Sequence, residues 1–191
     1  DGKRNGFFVE IGAFDGINGS NCYHFEKFLS WDGVAIEPSV IQFEKLKKNR
    51  KCKVINKPIS DTVKDVEFIE VTEGLTQMSG INDNFFKRNM DIISNNESSK
   101  TKTFNFKTIT FDEVIPKNNE IDYLSLDIEG GELNLLKSIN FDIFTIKVIS
   151  VENNTPKDQN FKSFFENKNF SYFDRFGQDE IFYNNKFFQL N

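Results

Sequence analysis

Histidine and tryptophan occur once each, and cysteine only twice, among 191 residues. Cys22 and Cys52 fall in different predicted elements, and no CxxC pair or Cys/His cluster exists. That pattern lacks metal-ligand spacing and points to a reducing, cytoplasmic setting. Apolar runs extend over a few residues at most, which excludes a helix able to cross a bilayer. A basic excess is missing as well: 24 Lys+Arg face 29 Asp+Glu, for a formal net charge of −5. With no Lys/Arg stripe, the chain lacks the side chains that hold phosphate backbones, so nucleic acid is not the expected partner. No internal repeat and no linker divides the sequence. It opens at Asp1 with no methionine, signal peptide or basic transit segment, as expected of a domain excised from a longer chain.

Charged residues make up 28% and apolar ones 38%, the balance of a soluble globular domain. The length suits one domain that buries roughly 70% of the surface its unfolded chain exposes. Phenylalanine, with 23 residues, recurs mostly at helix or strand spacing, which assigns it to core filling rather than to a stacking surface.

Residues 6–12 (GFFVEIG) are too short and apolar for a helix and predict a buried strand closed by glycine. Ser20 or Asn21 can cap the helix that follows, whose apolar positions are Cys22, Phe25, Phe28 and Leu29. Residues 33–36 (GVAI) form the second strand, stopped by Glu37 and Pro38. A helix through Val40, Phe43 and Leu46 closes on Lys45, Lys47, Lys48 and Arg50, and residues 53–59 (KVINKPI) give a third strand. Residues 66–71 and 103–111 read as further strands around a polar stretch, 72–102, that is too long for an inert connector. Then come a strand at 121–128, a helix at 129–139, a strand at 146–151, a helix carrying Phe161, Phe164 and Phe165, and a closing hairpin of 170–176 and 180–188. Strands alternating with helices imply a doubly wound, mostly parallel sheet, with the hairpin placing an antiparallel strand at its end.

Ligands of such sheets bind beyond the carboxyl ends of the strands, and here nearly every end is acidic. Glu10, Gly12, Asp15 and Gly16 follow the first strand, Glu37 the second, Ser60 and Asp61 the third, Asp127 and Glu129 the fourth, and Glu152 the fifth. The first loop (EIGAFDG) turns tightly at its glycines but lacks GxGxxG spacing, because Phe14 and Asp15 intrude. A carboxylate there repels a diphosphate and suits a sulfonium or an ammonium. Glu37, 27 residues after Glu10, stands where an acid accepts both ribose hydroxyls. Together these favour S-adenosyl-L-methionine over NAD or ATP.

The opening FFVEIGAFDGINGSN, the segments AIEP and NKPISD, and above all TITFDEVI followed by DYLSLDIEGGELNLL resemble the FkbM family of S-adenosylmethionine-dependent methyltransferases. The likeness runs from Gly6 to about Phe188 and includes the closing DEIFYNNKF. It implies an α/β class I methyltransferase fold, Rossmann-like, with a seven-stranded sheet and an antiparallel C-terminal hairpin. The chain is then a single FkbM-type domain, 1–191, with an insertion or lid over about 72–102. The implied activity is O-methylation of a hydroxyl on a sugar, glycan or related small molecule, with S-adenosyl-L-homocysteine as product. Carried over by position, Glu10, Gly12, Asp15 and Gly16 form the cofactor loop, with Ser20 and Asn21 beside it. Glu37 clamps the ribose, Ile59, Ser60 and Asp61 border the adenine, and Asp127 and Glu129 face the methionine end or the acceptor. Where the family's loop usually has a middle glycine, this chain has Phe14.

A sugar hydroxyl is a poor nucleophile at neutral pH, so a general base is expected. Asp127, ending a buried strand, is the leading candidate; His24, one turn into the first helix, is the second. Asp127, Glu129 and Glu152 with Asn153 offer the hard oxygen ligands of Mg²⁺, although a metal is not the favoured expectation. Gly74 and Gly80 can hinge a lid within 72–102. Two other readings share the fold: a noncatalytic binding module that kept the cofactor site, and an NAD-dependent oxidoreductase, which the missing GxGxxG and the final hairpin oppose. The acceptor and the oligomeric state are not written in the sequence.

Overall fold

Buried parallel strands need apolar side chains on both faces, and the first strand supplies them by alternation. Val9 and Ile11 enter one core with Val34, Ile36, Leu124 and Ile149, while Phe8 enters a second with Ala13, Cys22, Ala35 and Leu46. The computed structural model describes residues 2–83, 86–115, 120–154, 156 and 160–188. Asp1, and Asn84 and Phe85 of the expected lid, lie outside them.

The elements in chain order are β1 (Phe7–Ile11), α1 (Tyr23–Leu29), β2 (Asp32–Ile36), α2 (Val40–Asn49), β3 (Lys53–Ile55), β4 (Asp65–Glu73), a 3-10 turn (Thr76–Met78), β5 (Gly80–Ile81), α3 (Lys87–Ser94), β6 (Lys100–Lys107), α4 (Phe111–Val114), β7 (Glu120–Leu126), α5 (Glu132–Ser138), β8 (Thr145–Glu152), α6 (Phe161–Phe165), β9 (Phe170–Phe176) and β10 (Asp179–Asn184). Seven strands form the main sheet in the order β3-β2-β1-β7-β8-β10-β9. All neighbours from β3 to β8 are parallel, and β10 runs antiparallel to both β8 and β9. The sequence direction reverses between β1 and β7, which places a ligand crevice beyond their carboxyl ends. The expected α/β class and seven-stranded sheet are therefore found.

Several local expectations change. The antiparallel strand does not end the sheet: β10 inserts between β8 and β9, so β9 is the edge. The third strand stops at Ile55, because the Asn56 side chain turns back to donate to the carbonyls of Glu37 and Pro38. Ile59 instead makes an isolated parallel bridge to Ile109. Residues 103–111 are not one strand; β6 ends at Lys107, and Thr110 with Glu113 forms a capping box that starts α4. The described residues of 72–102 carry regular elements. They hold the end of β4, the 3-10 turn, β5, α3 and the start of β6, and β5-β4-β6 make a second, antiparallel sheet. Among the described residues no helix is long and apolar enough to cross a membrane.

Candidate active site

The carboxyl ends of β1, β2, β7 and β8 face the second sheet across a cavity of about 540 Å³, a volume typical of small-molecule sites. Gly12 makes the close approach possible. It adopts φ 87°, and a Cβ there would fall 1.6 Å from the carbonyl oxygen of Asp127. The loop is held from both sides, by Asp127 N–H donating to Ile11 O (2.9 Å) and Gly12 N–H to Ile36 O (3.0 Å). Phe14 follows at φ 47°, the left-handed region where a side chain costs roughly 1–2 kcal/mol. Its N–H donates to Glu37 Oε2 at 2.8 Å.

Glu37 is buried on the cavity wall, with its second oxygen accepting from Ser39 N–H at 2.7 Å. Burial pushes its carboxyl up to about 7, the N–H donors of Ser39 and Phe14 oppose the rise, and the Glu70 carboxylate adds to it. Glu70 reaches in from β4 and accepts the Ser39 hydroxyl (2.7 Å) and Ile41 N–H (3.1 Å), a negative charge set on the α2 N-terminus. This contact couples the second sheet to the strand end that carries Glu37.

Opposite, one carboxylate oxygen from each of Asp127, Glu129 and Glu152 lies within 4.8 Å of the others. Burial first, and then the Glu152 and Glu129 carboxylates, push Asp127 well above the usual carboxyl range. Glu129 is raised to about 7 by burial and by Glu152, against the hydrogen bond from Asn89 Nδ2 (2.8 Å). Burial also raises Glu152. Arg88 of α3 lies on the same wall and donates to Asn154 O at 2.9 Å.

Of the residues singled out in the sequence, Gly12, Glu37, Ile59, Asp127 and Glu129 line the cavity, and Glu10, Asp15, Gly16, Ser20, Asn21, Ser60, Asp61 and His24 do not. Glu10 points to the opposite face of β1, where its carboxylate takes Arg50 Nη1 (2.8 Å), Ser20 Oγ (2.7 Å) and Cys22 N–H (3.2 Å). Ser20 also accepts from Tyr23 N–H at 2.9 Å, but the N-cap of α1 is Cys22 rather than the expected Ser20 or Asn21. Asp15, despite some burial, is held below the usual carboxyl range by the N–H groups of Ile17 and Asn18, in a turn that shapes the loop. Gly16 packs on Arg50 and Leu46, and Asn21 donates to Ser125 Oγ (3.1 Å). Ser60 donates to Asp61, which is exposed beside Lys64. His24 is exposed on α1 with its ring 5.0 Å from that of Phe28, so the structure does not bring this expected base to the cavity.

Arg50, read from the sequence as an ordinary helix-closing cation, is instead the buried partner of Glu10 and Glu26. Nothing local in the sequence distinguishes it from the lysines beside it. The segment 72–102 contributes Thr76, Gln77, Met78, Arg88, Asn89 and Ile92 to the cavity wall.

The family model described as "Methyltransferase FkbM domain" matches residues 10–176. A solved structure described as "Human methyltransferase 10 domain containing protein" is 13% identical, with a TM-score of 0.45 over 97% of this chain and 74% of that one. Among curated proteins, none matches the sequence.

Proposed function

The chain belongs to the FkbM methyltransferase family, whose model takes in residues 10–176, and from that premise we propose that it moves a methyl group from S-adenosylmethionine to a hydroxyl of a sugar, glycan or related small molecule. The observation that carries this reading is the charge of the cavity. Glu37, Asp127, Glu129 and Glu152 line it, with Arg88 as the cation on its wall. Such a lining favours a sulfonium and an ammonium and disfavours a diphosphate, which is the test that separates S-adenosylmethionine from NAD. S-adenosylmethionine supplies a sulfonium-bound methyl: the acceptor oxygen bonds to it, sulfur keeps the carbon–sulfur electron pair, and the hydroxyl proton leaves.

The chain's own residues have distinct tasks in this reading. Phe14 and Ser39 fix the Glu37 carboxylate, each using one lone pair, so that the remaining lone pairs can accept ribose hydroxyls. Ile59, with Ile36 and Pro58, gives the apolar wall for adenine. Gly12 lets the backbone approach the methionine portion. Asp127 faces the reacting end and receives the acceptor's proton, the role its position at the end of β7 allows. The wall built by 72–102 excludes water from that end, as a lid does. Alignment of acceptor, methyl and sulfur can account for about 7–11 kcal/mol of barrier lowering.

Methyl-tritiated S-adenosylmethionine incubated with sugar, amine and carboxylic-acid acceptors tests the reaction class. Label is expected in an alkali-stable ether, lost in Asp127→Asn at an unchanged melting temperature. Label on amines or in alkali-labile esters, or full activity in Asp127→Asn, would contradict the reading.

A further inference from the structure

Glu152 hydrogen-bonds with Asp127 and Asn154, yet one of its oxygens accepts from no donor among the described residues. Its side chain is 8% exposed, and that oxygen is Oε2. Leaving a buried charged acceptor unsatisfied is costly, so the orphan oxygen points to a ligand that the fold expects. The register of the sheet sets what lies around it. Leu126 of β7 pairs with Val151 of β8, so Asp127 and Glu152 leave adjacent strand ends side by side. Glu129 joins them from the turn before α5, where it adopts φ 60°.

Arg88 favours the ionised forms of Glu129 and Glu152 from a distance but pairs with neither. Its Nη1 donates to Asn154 O, and it makes no ion pair with Asp127, Glu129 or Glu152 within the described residues. Three carboxylates thus converge on one point of the cavity with no ion-paired cation among the described residues. Their ligand oxygens lie within 4.8 Å of one another. Opposite oxygens stand about 4 Å apart around Mg²⁺ and about 5 Å apart around Ca²⁺. An all-carboxylate donor set suits a hard divalent ion, and neither His nor Cys contributes to select zinc.

We propose that Asp127, Glu129 and Glu152 hold one hard divalent cation, with Mg²⁺ and Mn²⁺ as its probes, at the reacting end of the cavity. Each residue contributes one oxygen, and Glu129 Oε2 keeps its bond to Asn89 as an outer support. The cation's task, orienting the acceptor's hydroxyl oxygen, rests on the methyl-transfer reading; its binding does not. Metal was not the favoured expectation from the sequence, because the convergence of β7, the turn and β8 is a tertiary fact.

The test is calorimetric titration of the EDTA-stripped chain with MnCl₂ and, separately, MgCl₂, in the absence of cofactor. One site is expected, weakened at least tenfold in Glu152→Gln and in Glu129→Gln. Glu152→Gln keeps the side-chain shape and removes the orphan charge; Glu129→Gln, on a partly exposed side chain, serves if the first variant fails to fold, which melting temperatures report. No binding of either metal, or binding unchanged in a folded variant, overturns the proposal. S-adenosylhomocysteine titrated into the stripped protein separates the two claims. If it binds while neither metal does, only the cation site falls; if a metal binds while it does not, only the cofactor assignment falls.

Discussion

Glu37 joins a proposed role in recognition to a pH response. Its usual value as a free side chain is 4.5, and burial lifts it to about 7 in the folded protein. Below the lower value the carboxyl is protonated folded or unfolded; between the two it is protonated only in the folded chain. The folded state then binds more protons, so this group's contribution to stability declines as pH rises through that window and levels off above about 7. In the proposed reading ribose hydroxyls donate to the ionised form, so affinity for S-adenosylhomocysteine is expected to rise from pH 6 to 8. Glu37→Gln should flatten that rise and weaken binding by about 1.5–3 kcal/mol at pH 8, roughly 10- to 160-fold, as charged hydrogen bonds are lost. Calorimetry across this pH range checks it, and a variant with the slope and affinity of the parent would remove the ribose role. The acidity of this strand end is legible in the sequence. Its proton affinity is not, because it comes first from burial in the folded chain and then from Glu70 arriving from another sheet.

At the scale of the element, the loop between β1 and α1 is held from beneath rather than from within the cavity. Arg50 donates to Glu10, Ser20, Gly16 O and Glu26, and its guanidinium lies 5.1 Å from the Phe8 ring. Breaking such a buried pair leaves a carboxylate stranded, at a cost of about 3–5 kcal/mol. Arg50→Met should therefore lower stability by that order in urea denaturation, and adding Glu10→Gln should recover part of the loss. A drop below about 1 kcal/mol would show that the network does not hold the loop. The sequence places Glu10 correctly at a strand end but not its direction, since alternation along β1 sends Ile11 to the cavity and Glu10 to the helix layer. Short elements in 72–102 are also hard to read: β5 has two residues, and its pairing with β4 is tertiary. By contrast, TFDEV carries a local signal for α4, the Thr110 to Glu113 capping box, that alternation in the preceding strand obscures.

At the scale of the whole molecule, the alternation of strands and helices makes the parallel sheet legible, and the strand ends make the site legible, because both follow from local patterning. The insertion of β10 between β8 and β9 and the meeting of Asp127 with Glu152 do not follow, because strand order is not a local property. The resulting cavity lies where the sheet's direction reverses, roofed by the second sheet and lined by carboxylates. A site of this charge should select a sulfonium nucleoside and reject a dinucleotide. Calorimetric titration with S-adenosylhomocysteine and with NAD tests that most directly. Micromolar binding of the first, about −8 kcal/mol, with no heat from the second, is the expected result; binding of NAD with none of S-adenosylhomocysteine would contradict the account.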